Sequence, residues 1–506
     1  MSGHHPRPRE IYDAIDREAL RGEADAIAHL RRLIQTPSLS GAEGRAADPE
    51  SVPGILTAAL LGEPGIAVET DAIAPHRDSV VGLLGSGKRV FVLDAHTDTV
   101  PAGDPTLWHA NDPFSAIDGE AEYLGDRRLR LTAGSTVVER TIRPRLARMW
   151  EARGERTQPV IYGRGSFDNK GPVAVALFAT QILARVLHQA GLTLAGTLVS
   201  GFPVDEEQAM AGTRRLFGGD GSWIAERSLL PGQLDNDGMR AGITGVALDG
   251  SYGFVPVIGH RGVAQLLLST SGQAAHAATP ELGTNAVVLM AHALTLLDER
   301  RELVSHRVAK LFDDDILEPA TFALGTTIAG GGVTGVRTDG GRRKVDRGGI
   351  NVVPDWCEAT IDCRYPRLAG SPASEGKDAI AAALQEILDD HLSHRRGNVR
   401  VQALGGGPPC TSVASLAAAA SDPVIQSVLA HGAELSGFQP WIETAPGGTD
   451  ATVMVNEGHI RTLVEFGPAG AFSHEPHEFV ERHQIAIGAR ILARTIIDWL
   501  GVEPAR

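Results

Sequence analysis

The 506-residue chain has little cysteine and no surplus of positive charge. Its three cysteines, Cys357, Cys363 and Cys410, form no CxxC pair and no even set, which argues against a disulfide framework and fits reduced thiols in the cytoplasm. Lys and Arg number 47 against 62 Asp and Glu, and the net charge of −15 disfavours nucleic acid or an anionic membrane as partner. No apolar run looks long enough to span a bilayer, and Met1 is followed by polar, His/Pro/Arg-rich residues rather than an apolar signal core. Neither GxxxxGK[ST] nor GxGxxG occurs, so a phosphate-loop reading is poor. What is present, 42% apolar and 22% charged residues, describes a soluble globular protein, and the length predicts two or more domains.

Apolar periodicity predicts a first helix from about Glu10 to Gln35, ended at Thr36-Pro37-Ser38 because proline restricts the residue before it. Arg89–Asp94 reads as a buried strand, residues 171–190 as a helix and Leu192–Gly201 as a second strand. This order predicts an α/β domain with a mostly parallel central sheet flanked by helices. From about His260 the pattern changes. Strands are predicted near Gln265–Thr270, Asn351–Val353, Glu358–Tyr365 and Val399–Ala403, with helices over Gly283–Leu297 and from about Ser374 to His391. An inserted α+β domain follows, so the expected division is 1–258 with 405–506 against 259–404. A strand at Thr462–Phe466 and a helix at Arg482–Leu500 return to the first domain. Within Gly125–Pro159 an amphipathic helix is predicted over Val137–Arg153, restarted at Pro144, with Arg140, Arg143, Arg145, Arg148 and Arg153 facing solvent. The sharper reading makes this segment an addition that shapes a site entrance.

Five acidic or histidine motifs recur along the chain: His96-Thr97-Asp98, Gly163–Asp168, Asp205-Glu206-Glu207, an isolated Asp249 and Ser473-His474-Glu475. Together they offer oxygen and imidazole ligands for two divalent ions and one spare carboxylate to activate water, which points to a metal-dependent hydrolase. His96 and Asp98 follow a strand and share a face, so Asp98 can accept the second ring N–H of a metal-bound His96. Asp168, at a helix entrance, has two oxygens with which to bridge two ions, though Asp168 or Asn169 also fits the role of helix N-cap. In Asp205-Glu206-Glu207 one glutamate can bind metal while its neighbour takes a proton from water, and an acidic helix start is the competing reading. His474 and His477 are both candidate ligands.

The ordered set resembles the zinc amidohydrolase and peptidase family of glutamate carboxypeptidase, acetylornithine deacetylase, succinyl-diaminopimelate desuccinylase and the aminoacylases. The resemblance runs from the helix ending at Ser38 to the last helix. It implies that His96, Asp168 and Asp249 hold one zinc ion and that Asp168 bridges to a second held by Glu207 and His474, with cobalt or manganese as alternatives. Asp249 precedes Gly259-His260-Arg261-Gly262, where the family places its remaining acidic ligand; Asp235 and Asp237 are its rivals. Glu206 matches the general base acting on a metal-bridging water, and Asp98 the carboxylate behind His96. The inserted domain resembles a ferredoxin-like lid or dimerisation domain, which implies a homodimer. There His276 matches the histidine that stabilises the oxyanion, and Asn351 and Arg364 match positions that contact substrate. Gly448 and Thr449 lie in Gly447-Gly448-Thr449-Asp450, which resembles the family's loop lining the substrate cavity.

Two departures from the family pattern, Gly125–Pro159 and Gly330–Gly349, lie where substrate choice is set. The expected activity is therefore cleavage of an amide C–N bond in a small molecule, an N-acyl amino acid or a related compound. A dipeptidase, an aminopeptidase or a hydrolytic deaminase is the alternative within the class, and a catalytically silent metal-binding protein is the alternative outside it.

Overall fold

Three strands of the first unit are apolar with no inside–outside alternation, the pattern of strands covered on both faces. Val90–Asp94, Thr197–Phe202 and Ile243–Ala247 are buried at every position. In the computed structural model, which describes residues 8–339, 342–347, 350–370 and 376–505, they form the centre of a six-stranded sheet. Its order is Ile66–Ala74, Arg77–Gly85, Thr197–Phe202, Val90–Asp94, Ile243–Ala247, Arg461–Leu463. The first two pairings are antiparallel and the other three parallel, so the sheet is mostly parallel. Helices Pro8–Gln35, Gly171–Ala190 and Gln484–Leu500 pack on one another. The segment Ser166–Ala190 is, by length and composition, apolar enough to cross a membrane, which the sequence reading had overlooked. Since 78% of its apolar window is buried inside the fold, it is built as a core helix.

The chain divides into two compact units, Met1–Gly259 with Thr411–Glu443 and Thr449–Arg506, and His260–Cys410 with Thr444–Gly448. In the second unit, strands Gly262–Ser271, Thr321–Gly331, Trp356–Tyr365 and Asn398–Gly407 alternate with helices Ala286–Glu299 and Lys377–Leu392. The strands pair antiparallel in the order Thr321–Gly331, Trp356–Tyr365, Gly262–Ser271, Asn398–Gly407, which is ferredoxin-like βαββαβ topology. Ala264, Leu266 and Leu268 alternate on one face and pack with Met290, Leu384 and Ile387 from the helices. The strand expected at Asn351–Val353 is absent. Val352 makes only an isolated bridge to His276, and Pro354 has no N–H to extend a ladder. Within Gly330–Gly349 a hairpin pairs Val333–Asp339 with Arg342–Arg347, while 340, 341, 348 and 349 lie outside the described residues. So does Ser374, the expected start of the helix described from Lys377.

The Gly125–Pro159 segment differs most from expectation. The start of the predicted amphipathic helix, Val137–Thr141, belongs to a strand, Thr136–Thr141, and the helix is Pro144–Arg153. That strand joins an antiparallel sheet in the order Gly470–Ala471, Phe479–Glu481, Thr157–Tyr162, Ile117–Gly125, Arg128–Ala133, Thr136–Thr141. β-Branched Thr136, Val137, Val138 and Thr141 favour extended chain. Arg130 faces Glu122 on one side and Glu139 on the other, bonding them at 2.8 and 2.9 Å, so Glu139, within the predicted helix, belongs to a cross-strand ladder. Nor does every arginine face solvent. Arg153, 4% exposed, forms a two-pronged pair with Glu481, 1% exposed, at 2.7 and 3.2 Å. This pair ties the helix to Phe479–Glu481, and breaking a buried pair strands the other charge. Arg153→Ala is expected to lower stability by about 3–5 kcal/mol in denaturant unfolding; a loss under about 1 kcal/mol would show that the helix is held by apolar contacts alone.

Candidate metal centre

The three buried strands end in the site. Val90–Asp94 runs out into His96 and Asp98, Thr197–Phe202 into Glu206 and Glu207, and Ile243–Ala247 into Asp249. The side chains thus gather outside the carboxyl ends of the sheet, where open α/β sheets place ligands. The chain beyond the first strand stays extended because Ala95 N donates to Gly201 O at 3.1 Å and Thr97 N to Pro203 O at 2.8 Å. Asp168 comes from the turn before Gly171–Ala190, and its peptide bond to Asn169 is cis. His474 comes from the loop between Gly470–Ala471 and Phe479–Glu481, at a φ of 63° that L-residues seldom adopt.

Among the described residues, two groups can each hold a cation: His96 with Asp168 and Asp249, and Asp168 with Glu207 and His474. One ligand atom from each member lies within 4.8 Å of the others. Asp168 belongs to both. His96 Nε2 is 3.4 Å from Asp168, while His474 Nε2 is 3.2 Å from Asp168 and 2.9 Å from Glu207. His96 Nε2 and Glu207 Oε1 are buried without a hydrogen-bond partner, aimed where an ion would sit. One nitrogen and two carboxylates in each group suit zinc, cobalt or manganese.

Electrostatics agree with a missing positive charge. Burial pushes the Asp249 and Glu206 carboxyls well above the usual range; negative neighbours, Asp168 at Asp249 and Asp450 at Glu206, push the same way. Burial also opposes charge on His96, but Asp168 and Asp98 outweigh it and hold the imidazole well above its ordinary value. Asp168 and Glu207 raise His474 to about 10. Asp168 itself, although burial disfavours its charge, is lowered by His474 and His96. Protons on the histidines stand in for the cations.

The open alternatives resolve by geometry. Lys170 occupies the N-cap of Gly171–Ala190 without a side-chain bond, so neither Asp168 nor Asn169 is spent as a cap. Asn169 Nδ2 instead donates to Leu248 O at 2.9 Å, beside Asp249. His477 packs against Tyr162 and Trp108 and joins neither group. Asp235 and Asp237 each accept from Arg461 at 2.9 Å. Of the acidic triplet, Asp205 is structural, accepting from Arg77 and from Ala211 N, and leaves Glu206 and Glu207 to the site. Glu206 lies outside both groups with its carboxylate 3.9 Å from His96 Nε2.

Asp98 does more than stand behind His96. His96 Nδ1 is nearer the Asp98 carbonyl, at 3.2 Å, than its carboxylate, at 3.4 Å. That carboxylate accepts from Ser40 Oγ, from Glu206 N at 3.0 Å and from Glu207 N at 3.2 Å, so it fastens the acidic loop to the histidine loop. In the second unit, His276 and Asn351 are exposed; Ala277 N donates to Asn351 O at 2.8 Å and Ala278 N to His276 Nδ1 at 3.0 Å. With Nδ1 accepting, the neutral ring carries its proton on Nε2. Arg364 pairs with Asp362 at 2.8 Å. Gly448 belongs to the second unit and Thr449 to the first, where the Thr449 hydroxyl donates to Val464 O at 2.6 Å and is committed to the backbone.

Two residues escaped the sequence reading. Glu478 is fully buried and accepts from Gly165 N at 3.0 Å, Phe167 N at 2.9 Å, Asp168 N at 2.8 Å and the Arg164 guanidinium. It therefore fixes the turn that aims Asp168; burial lifts its carboxyl to about 7 while Arg164 opposes the shift. Its signal was the carboxylate four residues beyond His474, within the same motif. Gly467 has no side chain because a Cβ there would stand 1.9 Å from Asp249 O. Glu478→Ala is expected to weaken zinc binding about ten- to a hundredfold in titration calorimetry, as loss of a supporting partner does. Unchanged affinity would mean that the turn holds Asp168 unaided.

With this geometry in hand, similarity to known proteins has a definite meaning. Residues 144–498, more than half of the chain, match the peptidase family M20/M25/M40. The chain is 23% identical over 477 residues to the succinyl-diaminopimelate desuccinylase of Magnetococcus marinus, covering 93% of this chain and 97% of that one. In fold it is similar to the aminopeptidase PepT of Bacillus cereus, with a TM-score of 0.58 and 19% identity over 94% of this chain and 98% of that one. It is similar too to YXEP of Bacillus subtilis, a dinuclear metal binding peptidase, with a TM-score of 0.55 and 14% identity over 94% and 98%. The protein belongs to the M20/M25/M40 peptidase family and is a hydrolase that acts on amide bonds.

Proposed function

We propose that the protein removes the acyl group from an N-acyl amino acid or a related small amide, using two divalent ions, zinc by default. One observation carries this reading: Asp168 is common to two ligand groups, and the Glu206 carboxylate lies beside them without belonging to either. His96, Asp168 and Asp249 would hold one ion, and Asp168, Glu207 and His474 the other. Bound there, the ions would supply polarisation of the amide carbonyl and a lower pKa for water.

Glu206 takes a proton from the attacking water and returns it to the departing amine nitrogen. Its carboxylate stands 3.9 Å from His96 Nε2 and belongs to neither ligand group, a placement that suits both transfers. Asp98, through Glu206 N and Glu207 N, keeps the base and the ligand loop in register. His276, with its proton on Nε2, donates to the oxyanion; Asn351 and Arg364, with Gly448 and Thr449 in the cavity loop, bind the rest of the substrate. The ferredoxin-like unit serves as lid and dimerisation domain of a homodimer, and three buried cysteines outside any disulfide suit work in the cytoplasm. The likeness to a desuccinylase supports an acyl group as the portion released.

Glu206→Gln is expected to lower kcat at least about a hundredfold while metal content, measured by elemental analysis, stays unchanged; full activity would refute the assignment. Metal-restored enzyme is expected to cleave N-acyl amino acids, whereas cleavage of dipeptides alone would favour the peptidase alternative. In the metal-free protein His474 stays protonated up to about 10. A cation must displace that proton, so zinc binding at pH 7 should release protons and tighten as pH rises. Calorimetry in two buffers of different ionisation enthalpy measures the release, and none at all would contradict His474 as a ligand.

A further inference from the structure

The first unit holds a cavity of about 120 Å³ that opens on the metal centre, with Asp168 in its lining and none of the substrate-binding residues named above. At about 30 Å³ per liquid water this is room for a short chain of heavy atoms. Ile142 and Leu146 of the Gly125–Pro159 segment line it together with Phe167 and Phe472. The same lining carries two buried polar groups, Glu465 and Ser251, 8% and 1% exposed. Ser251 Oγ faces the Glu465 carboxyl and no other polar group, and among the described residues Glu465 makes no ion pair. Of the nearest cations, Arg143 is an exposed, solvated lining residue and Arg145 lies 3.4 Å from Glu443.

A buried carboxylate held by a hydroxyl and no ion pair is costly, and no structural contact of the fold repays it. Burial lifts the Glu465 carboxyl to about 7, with Asp168 adding to the shift and Ser251, Arg143 and Arg145 opposing it. A cationic group entering the cavity would bring the missing counter-charge, while an anionic one would meet Glu465 and Asp168.

We propose that Glu465 and Ser251 form a subsite for a protonated primary amine carried by the substrate on a short alkyl stem, which lies between Ile142, Leu146 and Phe472. The inference rests on the amide-hydrolase reading of the adjoining centre and narrows its substrates to amides with a second, basic nitrogen. It also gives the inserted segment a purpose, since Ile142 and Leu146 supply part of the wall.

Two measurements on the metal-loaded enzyme test it. The first is calorimetric binding of n-butylamine and of 1-butanol at pH 7, which needs no turnover. The amine is expected to bind about ten- to a hundredfold tighter than the alcohol, the range for a hydrogen-bonded charge, and to lose that advantage in Glu465→Gln. Equal binding of the two probes, or an advantage that survives Glu465→Gln, overturns the subsite. The second is the ratio of kcat/KM for an N-acyl-lysine to that for the N-acyl-norleucine of matched length. It is expected to exceed ten and to fall towards one in Glu465→Gln; a ratio of one in the unaltered enzyme overturns the claim about substrates. Amine binding lost in Glu465→Gln, in an enzyme that cleaves neither compound, would support the subsite and count against the deacylase reading instead.

Discussion

The structure turns on buried negative charge. Seven carboxyls, those of Asp94, Asp98, Asp168, Glu206, Glu207, Asp249 and Asp450, crowd one end of a buried sheet, with the imidazoles of His96 and His474 among them. Like charges in a poorly solvated place cannot all ionise unless cations join them. Without cations, protons are shared out: Asp94, Glu206 and Asp249 are driven up by burial, and both histidines are held in their charged forms. Two divalent ions would replace those protons and free Glu206 to act on water.

Keeping so many acids together needs ties that do not themselves touch an ion. Glu478 grips the turn of Asp168 with one carboxylate, and Asp98 joins two ligand loops with another. Gly467 leaves room for the backbone of Asp249. The added sheet belongs to the same scheme. Its strand Phe479–Glu481 follows the His474 loop, Arg153 anchors it through Glu481, and its outer segment contributes Ile142 and Leu146 to the neighbouring cavity. One piece of chain thus supports the ligand loop and lines the cavity beside it.

Much of this was legible in the sequence because the ligands follow apolar strands and keep a fixed order. The strand ending at Asp94 is buried throughout, so a histidine and an aspartate just beyond it stand at a crevice. The α+β character of the inserted unit was readable from its periodicities and its ferredoxin-like form from the family resemblance, while Pro354 prevents the strand expected at Asn351–Val353. Val137–Thr141 was misread because its charges pair across strands 9 residues apart, as in Arg130–Glu139, which helical periodicity does not reveal. Glu478 and Glu465 were passed over for a related reason. A carboxylate's role depends on which backbone N–H groups or cavity walls the fold brings to it, and sequence spacing carries no trace of that.

The candidate ligands lie in the loops of the parallel sheet, and the proposed subsite lies beside them against the Gly125–Pro159 segment. The central claim is that Asp168 joins two ions. X-ray absorption fine structure of the zinc-loaded enzyme tests it most directly. A metal–metal vector at about 3.5–4 Å, lost in Asp168→Ala, is the predicted result. A spectrum with nitrogen and oxygen shells but no such vector at two zinc ions per chain would contradict it.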